Sequence, residues 1–228
     1  MASLLQDLEC NGFAILRSQI DSVTLEKLRI DLHNGLSRSQ AGIRNLLNRV
    51  TSVRELARSE TLGRLVNQVL GNSARVVRGV YFDKQKDANW KVAWHQDLTI
   101  AVKLRVDVES FGAWSFKGGI QHVQPPVYIL EQMIAVRLHL DDADEANGCL
   151  RVIPGSHRQG RLSAEEIANL RRTSKIVSCR VSSGDVMLMR PLLLHASSVA
   201  MVPKHRRVIH LEYCAAKLPN DLEWYEEI

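Results

Sequence analysis

The sequence contains few cysteines, few aromatic residues and no long apolar run. Its four cysteines, Cys10, Cys149, Cys179 and Cys214, are scattered without a CxxC spacing, which argues against a zinc knuckle, a redox pair or a disulfide framework. No apolar stretch reaches the roughly 20 residues of a membrane-spanning helix, and the first residues lack the pattern of a secretory signal. We therefore expect a cytoplasmic protein with reduced thiols and no membrane partner.

Positive charge is in excess but is not concentrated in one segment. The formal net charge is +5 and the pI is about 9.2, values that permit an anionic partner. Aromatic residues make up only 5% of the chain and are not interleaved with a basic run, so nucleic acid is not an expected partner. With 228 residues, 45% of them hydrophobic, the chain is long enough for one domain with a sizeable core. We expect a monomer or homodimer that acts on a small molecule.

Residues 1–73 have the periodicity of flanking α-helices. Apolar residues recur at helical spacing over 25–32, and again over 56–69 before Gly71, a residue typical of a helix end. Within this front, only Phe13–Leu16 predicts a short strand.

Residues 74–213 change to short β-like runs that are separated by turn residues. The predicted strands are Arg75–Phe82, Trp90–Asp97, Met133–Leu140, Leu150–Ile153, Ile176–Val181, Val186–Met189 and Val208–Tyr213. Short strands in succession indicate a barrel or a sandwich. The glycines, prolines and aromatic residues of 111–128 predict a lid loop over the barrel mouth, with an ordinary packed loop as the alternative. Residues 214–228 form a C-terminal tail.

His95 and Asp97 are separated by one residue and can therefore point to the same face of a strand. His195 follows the apolar run 191–194, which predicts a buried strand, and a buried histidine needs a partner. Two imidazoles and one carboxylate are the ligands of the facial triad that holds non-haem Fe(II) and leaves open coordination positions. The spacing predicts an iron site at His95, Asp97 and His195.

Arg206 lies eleven residues beyond His195, which leaves room for a turn and a returning strand. A guanidinium at this place could bind a carboxylate bidentately, as is needed at the far end of 2-oxoglutarate. Arg207 would point to the opposite face, so only one of the two can have this role. Ser197 shares the face of His195 and could donate a further hydrogen bond to the same carboxylate.

The run Met133–Leu140 alternates between an apolar face and a face that carries Arg137 and His139. Polar residues on one face of a central strand suggest that this face looks into the iron cavity. Arg137 is therefore a candidate contact for the substrate or co-substrate; a structural ion pair is the alternative. For His139, a hydrogen bond in the core is the favoured interpretation.

Taken together, these residues resemble the phytanoyl-CoA dioxygenase family. The resemblance rests on Trp94-His95-Gln96-Asp97, the segment 147–157 (NGCLRVIPGSH), Gly184-Asp185, the segment 191–197 (PLLLHAS) and Arg206, in family order over roughly residues 74–213. It implies a mainly β protein with a double-stranded β-helix, or jelly-roll barrel, that uses Fe(II), 2-oxoglutarate and O2. It also implies that His95, Asp97 and His195 bind iron, that Arg206 binds 2-oxoglutarate, and that Ser197 has the position of a co-substrate-binding serine.

The predicted function is hydroxylation of an unactivated C–H bond in a small or medium-sized anionic metabolite, with release of succinate and CO2. Asp97 argues against halogenation, because halogenases of this type have a small residue at that position. One alternative is a non-catalytic sensor that binds 2-oxoglutarate and metal on the same fold; the intact set of His95, Asp97, His195 and Arg206 argues against it. A metal enzyme without 2-oxoglutarate is the other alternative, and Arg206 argues against that one.

Overall fold

A computed structural model describes residues 3–36 and 42–228 of the chain. The helices are α1 (Leu4–Cys10), α2 (Ser22–Gly35), α3 (Leu46–Arg49), α4 (Thr51–Ala57), α5 (Glu60–Leu70), α6 (Val127–Glu131) and α7 (Ala164–Thr173). The strands are β1 (Phe13–Leu16), β2 (Arg75–Lys84), β3 (Val92–His95), β4 (Ile100–Val102), β5 (Gly112–Lys117), β6 (Ile120–Gln124), β7 (Met133–His139), β8 (Leu150–Val152), β9 (Val177–Cys179), β10 (Val186–Met189), β11 (His195–Ser197) and β12 (Arg206–Cys214). None of the helices in these ranges combines the length and apolar character that crossing a membrane requires.

Two antiparallel sheets enclose the functional cavity of the jelly roll. One has the strand order β1-β10-β7-β12-β2 and the other the order β3-β11-β8-β9. The residues that line the cavity come from β2, β7 and β12 on one side and from β3, β8 and β11 on the other. The prediction of a mainly β jelly roll is confirmed, and β1 is the predicted front strand, paired with β10.

The front helices pack on the outer face of the five-stranded sheet. Leu25, Leu28 and Leu32 of α2 belong to one buried cluster with Val136 and Leu138 of β7. Burial of each such side chain stabilises the fold by about 1.5–3 kcal/mol. Because side chains alternate along a strand, the residues between them on β7 face the other way, into the cavity. The front helices therefore support one wall of the cavity from its outer side.

Two predictions of local structure were wrong. Segment 111–128 is not a loop: it contains β5 and β6, a hairpin that forms a third sheet in the order β4-β6-β5. The apolar run 191–194 is a turn, and the strand begins only at His195. Leu192, Leu193 and Leu194 are all buried in this turn. An apolar run signals burial, but its length of four residues does not distinguish a buried turn from a buried strand.

The C-terminal tail returns to the body of the protein. Trp224 forms a β-bridge with Val102 of β4. The Glu226 carboxylate is buried and accepts hydrogen bonds from the backbone N–H groups of Leu47 (2.9 Å) and Gly79 (3.0 Å). The tail therefore connects the third sheet, the front helices and β2.

Candidate active site and metal centre

The structure brings His95, Asp97 and His195 together as the sequence predicts. Their ligand atoms all lie within 4.8 Å of one another: Asp97 Oδ1 is 3.6 Å from Nε2 of His95, and Asp97 Oδ2 is 3.7 Å from Nε2 of His195. The two histidines are directly opposed in the antiparallel pairing of β3 with β11. Asp97 lies two residues beyond the end of β3, where its backbone N–H donates to the Pro191 carbonyl at 2.9 Å.

Both histidines present the same nitrogen to the centre of the triad. Nδ1 of His95 is 2.8 Å from the Ala93 carbonyl, and Nδ1 of His195 is 2.8 Å from the Leu193 carbonyl. A carbonyl only accepts, so Nδ1 carries the proton, and in the neutral form of each ring Nε2 keeps its lone pair. This second hydrogen bond is the arrangement that orients metal-binding histidines. The ligand set therefore fits a divalent metal such as Fe(II).

The electrostatics of the triad keep its carboxylate charged. Burial opposes ionisation of Asp97, but the His195 and His95 interactions lower its pKa below the ordinary range. Burial lowers the pKa of His195 to about 4, so this ring is neutral at pH 7. One carboxylate and a neutral imidazole are the forms that bind a metal. About a third of the side-chain surface of His95 and of Asp97 stays open, 39% and 31% respectively, whereas His195 is buried. Access to the metal position is therefore from the His95 and Asp97 side.

Arg206 and Arg207 point in opposite directions from β12. Arg206 lines the cavity and is 3% exposed; its Nε and Nη1 are buried without a partner among the described residues. Arg207 instead forms a bidentate pair with Asp141 on the other face, at 2.8 and 2.7 Å. Arg206 is thus the guanidinium that remains available to a carboxylate inside the cavity, as the sequence predicts.

Lys84, which the sequence reasoning missed, is a second buried cation beside Arg206. Its side chain is fully buried, and Nζ donates to Oγ of Ser197 at 3.0 Å and to the Ser198 carbonyl. Burial and then the Arg206 charge lower the Lys84 pKa to about 7, and burial lowers the Arg206 pKa to about 10. Two buried cations and a hydroxyl form a receptor for an anion.

The turn at Gly148 allows Lys84 to reach this position. Gly148 has φ +75°, and a Cβ there would lie 2.5 Å from the Ser198 carbonyl oxygen and 3.4 Å from Nζ of Lys84. Only glycine adopts this conformation at such a close approach without strain. The Asn147-Gly148 motif is therefore structural and supports the cationic end of the cavity.

A family model described as phytanoyl-CoA dioxygenase (PhyH) matches residues 8–208. The chain belongs to the phytanoyl-CoA dioxygenase family. Members of this family use Fe(II), 2-oxoglutarate and O2. Phytanoyl-CoA dioxygenase 1 of Oryza sativa subsp. japonica is 27% identical over 146 residues, which are 60% of this chain and 43% of that protein. The chain thus matches less than half of the length of this curated relative.

Solved structures share the fold at low sequence identity. AviO1 from Streptomyces viridochromogenes Tue57 has a TM-score of 0.67 at 22% identity, covering 96% of this chain and 99% of that one. HygX from Streptomyces hygroscopicus, crystallised with nickel, 2-oxoglutarate and hygromycin B, has a TM-score of 0.67 at 18% identity, covering 92% and 86%. SnoK, an α-ketoglutarate-dependent carbocyclase from nogalamycin biosynthesis, has a TM-score of 0.70 at 14% identity, covering 92% and 82%.

Within this phytanoyl-CoA dioxygenase fold, Arg137 starts a polar chain along the cavity wall. Its Nη1 is 3.0 Å from Nδ1 of His210, which must accept, so the His210 proton is on Nε2. That nitrogen lies 3.4 Å from Oε1 of Glu212, and the same oxygen is 3.0 Å from Nη1 of Arg78. Arg137 Nε has no partner among the described residues. Burial lowers the Arg137 pKa, and the Asp97 charge opposes this change.

His139 does not have the hydrogen bond in the core that was favoured for it. It is 2% exposed, and neither of its ring nitrogens has a partner among the described residues. Burial and the charges of Arg137 and Arg206 keep its pKa well below the ordinary value. His139 therefore stays neutral between two cations, on the cavity face of β7.

Proposed function

We propose that the protein is an Fe(II)- and 2-oxoglutarate-dependent dioxygenase that hydroxylates an unactivated C–H bond of a small or medium-sized, anionic metabolite. In the balanced reaction, 2-oxoglutarate, O2 and R–H give succinate, CO2 and R–OH. One oxygen atom enters succinate and the other enters the product.

One observation carries this proposal: two separate receptors share a single cavity of about 160 Å³. The first is the convergent triad of His95, Asp97 and His195. The second is Arg206 with its buried neighbour Lys84. Arg206 and Ser197 line the cavity, and Lys84 donates to Ser197 Oγ. Neither cationic head is bonded to a carboxylate among the described residues. A bare cation pair of this kind is unfavourable unless an anion completes it. A 2-oxo dicarboxylate satisfies both receptors at once.

Each residue has a distinct proposed role. His95, Asp97 and His195 would hold Fe(II), which supplies the redox chemistry that couples decarboxylation of 2-oxoglutarate to substrate oxidation. Arg206 and Lys84 bind the far carboxylate of 2-oxoglutarate, and the Ser197 hydroxyl, which accepts from Lys84, is free to donate its proton to the same group. Binding at this end orients the 2-oxo acid end towards the triad.

Arg137 is the proposed contact for a polar or anionic group of the substrate near the triad. It lines the cavity, His210 holds its guanidinium in place, and its Nε has no partner among the described residues. The crystallised HygX complex with hygromycin B shows that a protein of this fold can hold a small molecule. All four cysteines are free, which suits the predicted cytoplasmic location. The location and the monomeric or homodimeric state both stay predictions.

The test is succinate formation from 2-oxoglutarate with Fe(II) and O2, alone and with a library of metabolites. We expect slow succinate release without substrate and faster release with a metabolite that becomes hydroxylated. The Asp97→Ala variant is the negative control. Binding of 2-oxoglutarate without succinate release under any condition would instead favour the sensor alternative.

A further inference from the structure

The cavity has two ends that differ in charge. On the paired strands β2 and β12, Lys84 is opposite Arg206 at one end, and Arg78 is opposite Glu212 six residues away. At about 3.4 Å per residue this separation is roughly 20 Å. Asp97 interacts electrostatically with His210 and with Arg137, which places the triad between the two ends. The end at Arg78 is therefore the part of the cavity that 2-oxoglutarate leaves to the substrate.

A second arginine lies beside Arg78 on the free edge of β2. Ile43 and Tyr81 exchange two backbone hydrogen bonds of 2.9 Å each, so the chain around Ile43 continues the sheet past β2. In this antiparallel arrangement Arg44 is adjacent to Val80 and shares the strand face of Val80 and Arg78, both of which line the cavity. Arg44 Nε is buried, and this side chain has no hydrogen bond or ion pair among the described residues.

The hairpin of β5 and β6 lies beside Arg44. A Cβ at Gly118 would lie 3.9 Å from Cδ of Arg44. From β6, His122 is 1% exposed, and its Nδ1 donates to the Ile120 carbonyl at 3.0 Å. Its Nε2 therefore carries a lone pair, and this atom has no partner within residues 3–36 and 42–228.

Arg44 has no carboxylate partner in this cluster among the described residues. Burial, followed by the charges of Arg78, Arg44 and Lys117, lowers the His122 pKa to about 4. Burial and the Arg78 charge also lower the Arg44 pKa. Two carboxylates, Glu212 and Glu226, are nearby. Glu212 is paired with Arg78. Glu226 uses its two oxygens on the backbone N–H groups of the front and of β2. Neither neutralises Arg44.

We propose that Arg44 and Arg78 bind an anionic group of the organic substrate, a carboxylate or a phosphate, and that Nε2 of His122 accepts a hydrogen bond from a hydroxyl of the same substrate. This subsite rests on the proposed oxygenase function and defines its substrate class. Arg78 is two residues of β2, about 7 Å, from the position opposite His210. The reacting carbon is then only a few bonds from the anionic group, which indicates a small substrate.

The test measures anion binding rather than turnover. The protein is loaded with Ni(II) and saturating 2-oxoglutarate, so that Lys84 and Arg206 are occupied, and is titrated calorimetrically with inorganic phosphate and with acetate. We expect saturable binding of at least one anion, weakened about tenfold or more by Arg44→Gln and by Arg78→Gln. The matched control is Arg64→Gln, because Arg64 is exposed on α5; it should bind as the wild type does.

Arg44→Gln is the decisive variant. Arg78→Gln also removes the partner of buried Glu212 and can weaken the fold, whereas Arg44 has no such partner to lose. Absence of binding, or equal binding by the wild type and both variants, would overturn the subsite. Succinate formation, measured in parallel, separates the two proposals. Succinate without anion binding keeps the oxygenase and removes the subsite, and no succinate with any metabolite removes both.

Discussion

Lys84 and Arg206 are direct partners in the register between β2 and β12, and both side chains are buried. Burial is the main cause that lowers the pKa of both groups, and the Arg206 charge lowers the pKa of Lys84 further. The fold therefore maintains two adjacent cations where burial disfavours even one. A bound carboxylate reverses this situation, because it favours the charged form of both groups.

The first prediction concerns the pH dependence of stability without 2-oxoglutarate. The Lys84 pKa falls from 10.5 to about 7 on folding, so between these values the unfolded chain binds more protons at this group. Stability from this group should then rise with pH, by up to about 1.4 kcal/mol per pH unit. Denaturant unfolding at pH 7 to 9.5 measures the slope, and Lys84→Met should remove this part of it. An unchanged slope would contradict the lowered pKa of Lys84 in the folded protein.

A second prediction separates the two arginines of β12. Arg206→Ala removes a buried charge-assisted contact worth about 2–5 kcal/mol, so the KM for 2-oxoglutarate should rise about 30-fold or more. Arg207→Ala breaks a partly exposed pair with Asp141 and should leave this KM unchanged while it costs about 1 kcal/mol of stability. Steady-state succinate kinetics and chemical denaturation measure the two effects. The reverse pattern would assign the carboxylate contact to Arg207.

The third prediction concerns the metal. His95→Ala, Asp97→Ala and His195→Ala should each abolish Fe(II) retention, because each removes one of only three protein ligands. Metal analysis after anaerobic loading and desalting measures retention, and circular dichroism checks the fold. Asp107→Ala is the matched control, since Asp107 is exposed and pairs only with Arg105 among the described residues. Stoichiometric iron in any of the three ligand variants would remove that residue from the triad.

The fourth prediction concerns Arg137. Arg137→Leu should lower substrate-stimulated turnover while it spares much of the slow succinate release that occurs without substrate. The reason is that Arg137 contacts His210 in the cavity wall and is not bonded to Lys84 or Ser197. The ratio of hydroxylated product to succinate measures the coupling. If both rates fall equally, Arg137 serves the co-substrate or the fold instead.

The proximity of His95 to Asp97 and the inward direction of Arg206 were predictable because each follows from a short-range rule. The spacing of His95 and Asp97 predicts that the two side chains point to the same side. Arg206 and Arg207 are consecutive, so they must point to opposite faces of one strand. Strand Val186–Met189 was predicted with its observed bounds, because its apolar run ends at polar turn residues on both sides. The alternation of Met133–Leu140 likewise indicated which of its residues look into the cavity.

The positions of Lys84 and Arg44 were not predictable, because they depend on contacts far along the chain. Lys84 is the last residue of β2, and its local sequence does not distinguish it from an exposed lysine. Only its pairing with Arg206 of β12 shows that it is buried in the fold. Arg44 precedes α3, and only the pairing of Ile43 with Tyr81 places it beside the edge of β2. Segment 111–128 was interpreted as a loop because its glycines and prolines signal turns, while its strands are held by a partner, β4, that is only three residues long.

His95 and His195 each hydrogen-bond to the carbonyl two residues before them in their own chain segment. The local backbone therefore orients both rings towards the centre of the triad. We therefore expect that one divalent metal can replace another without refolding of the site. Because a rigid pair of imidazoles and a carboxylate bind several divalent ions in the usual affinity order, the iron content of the protein would follow the supply of metals around it.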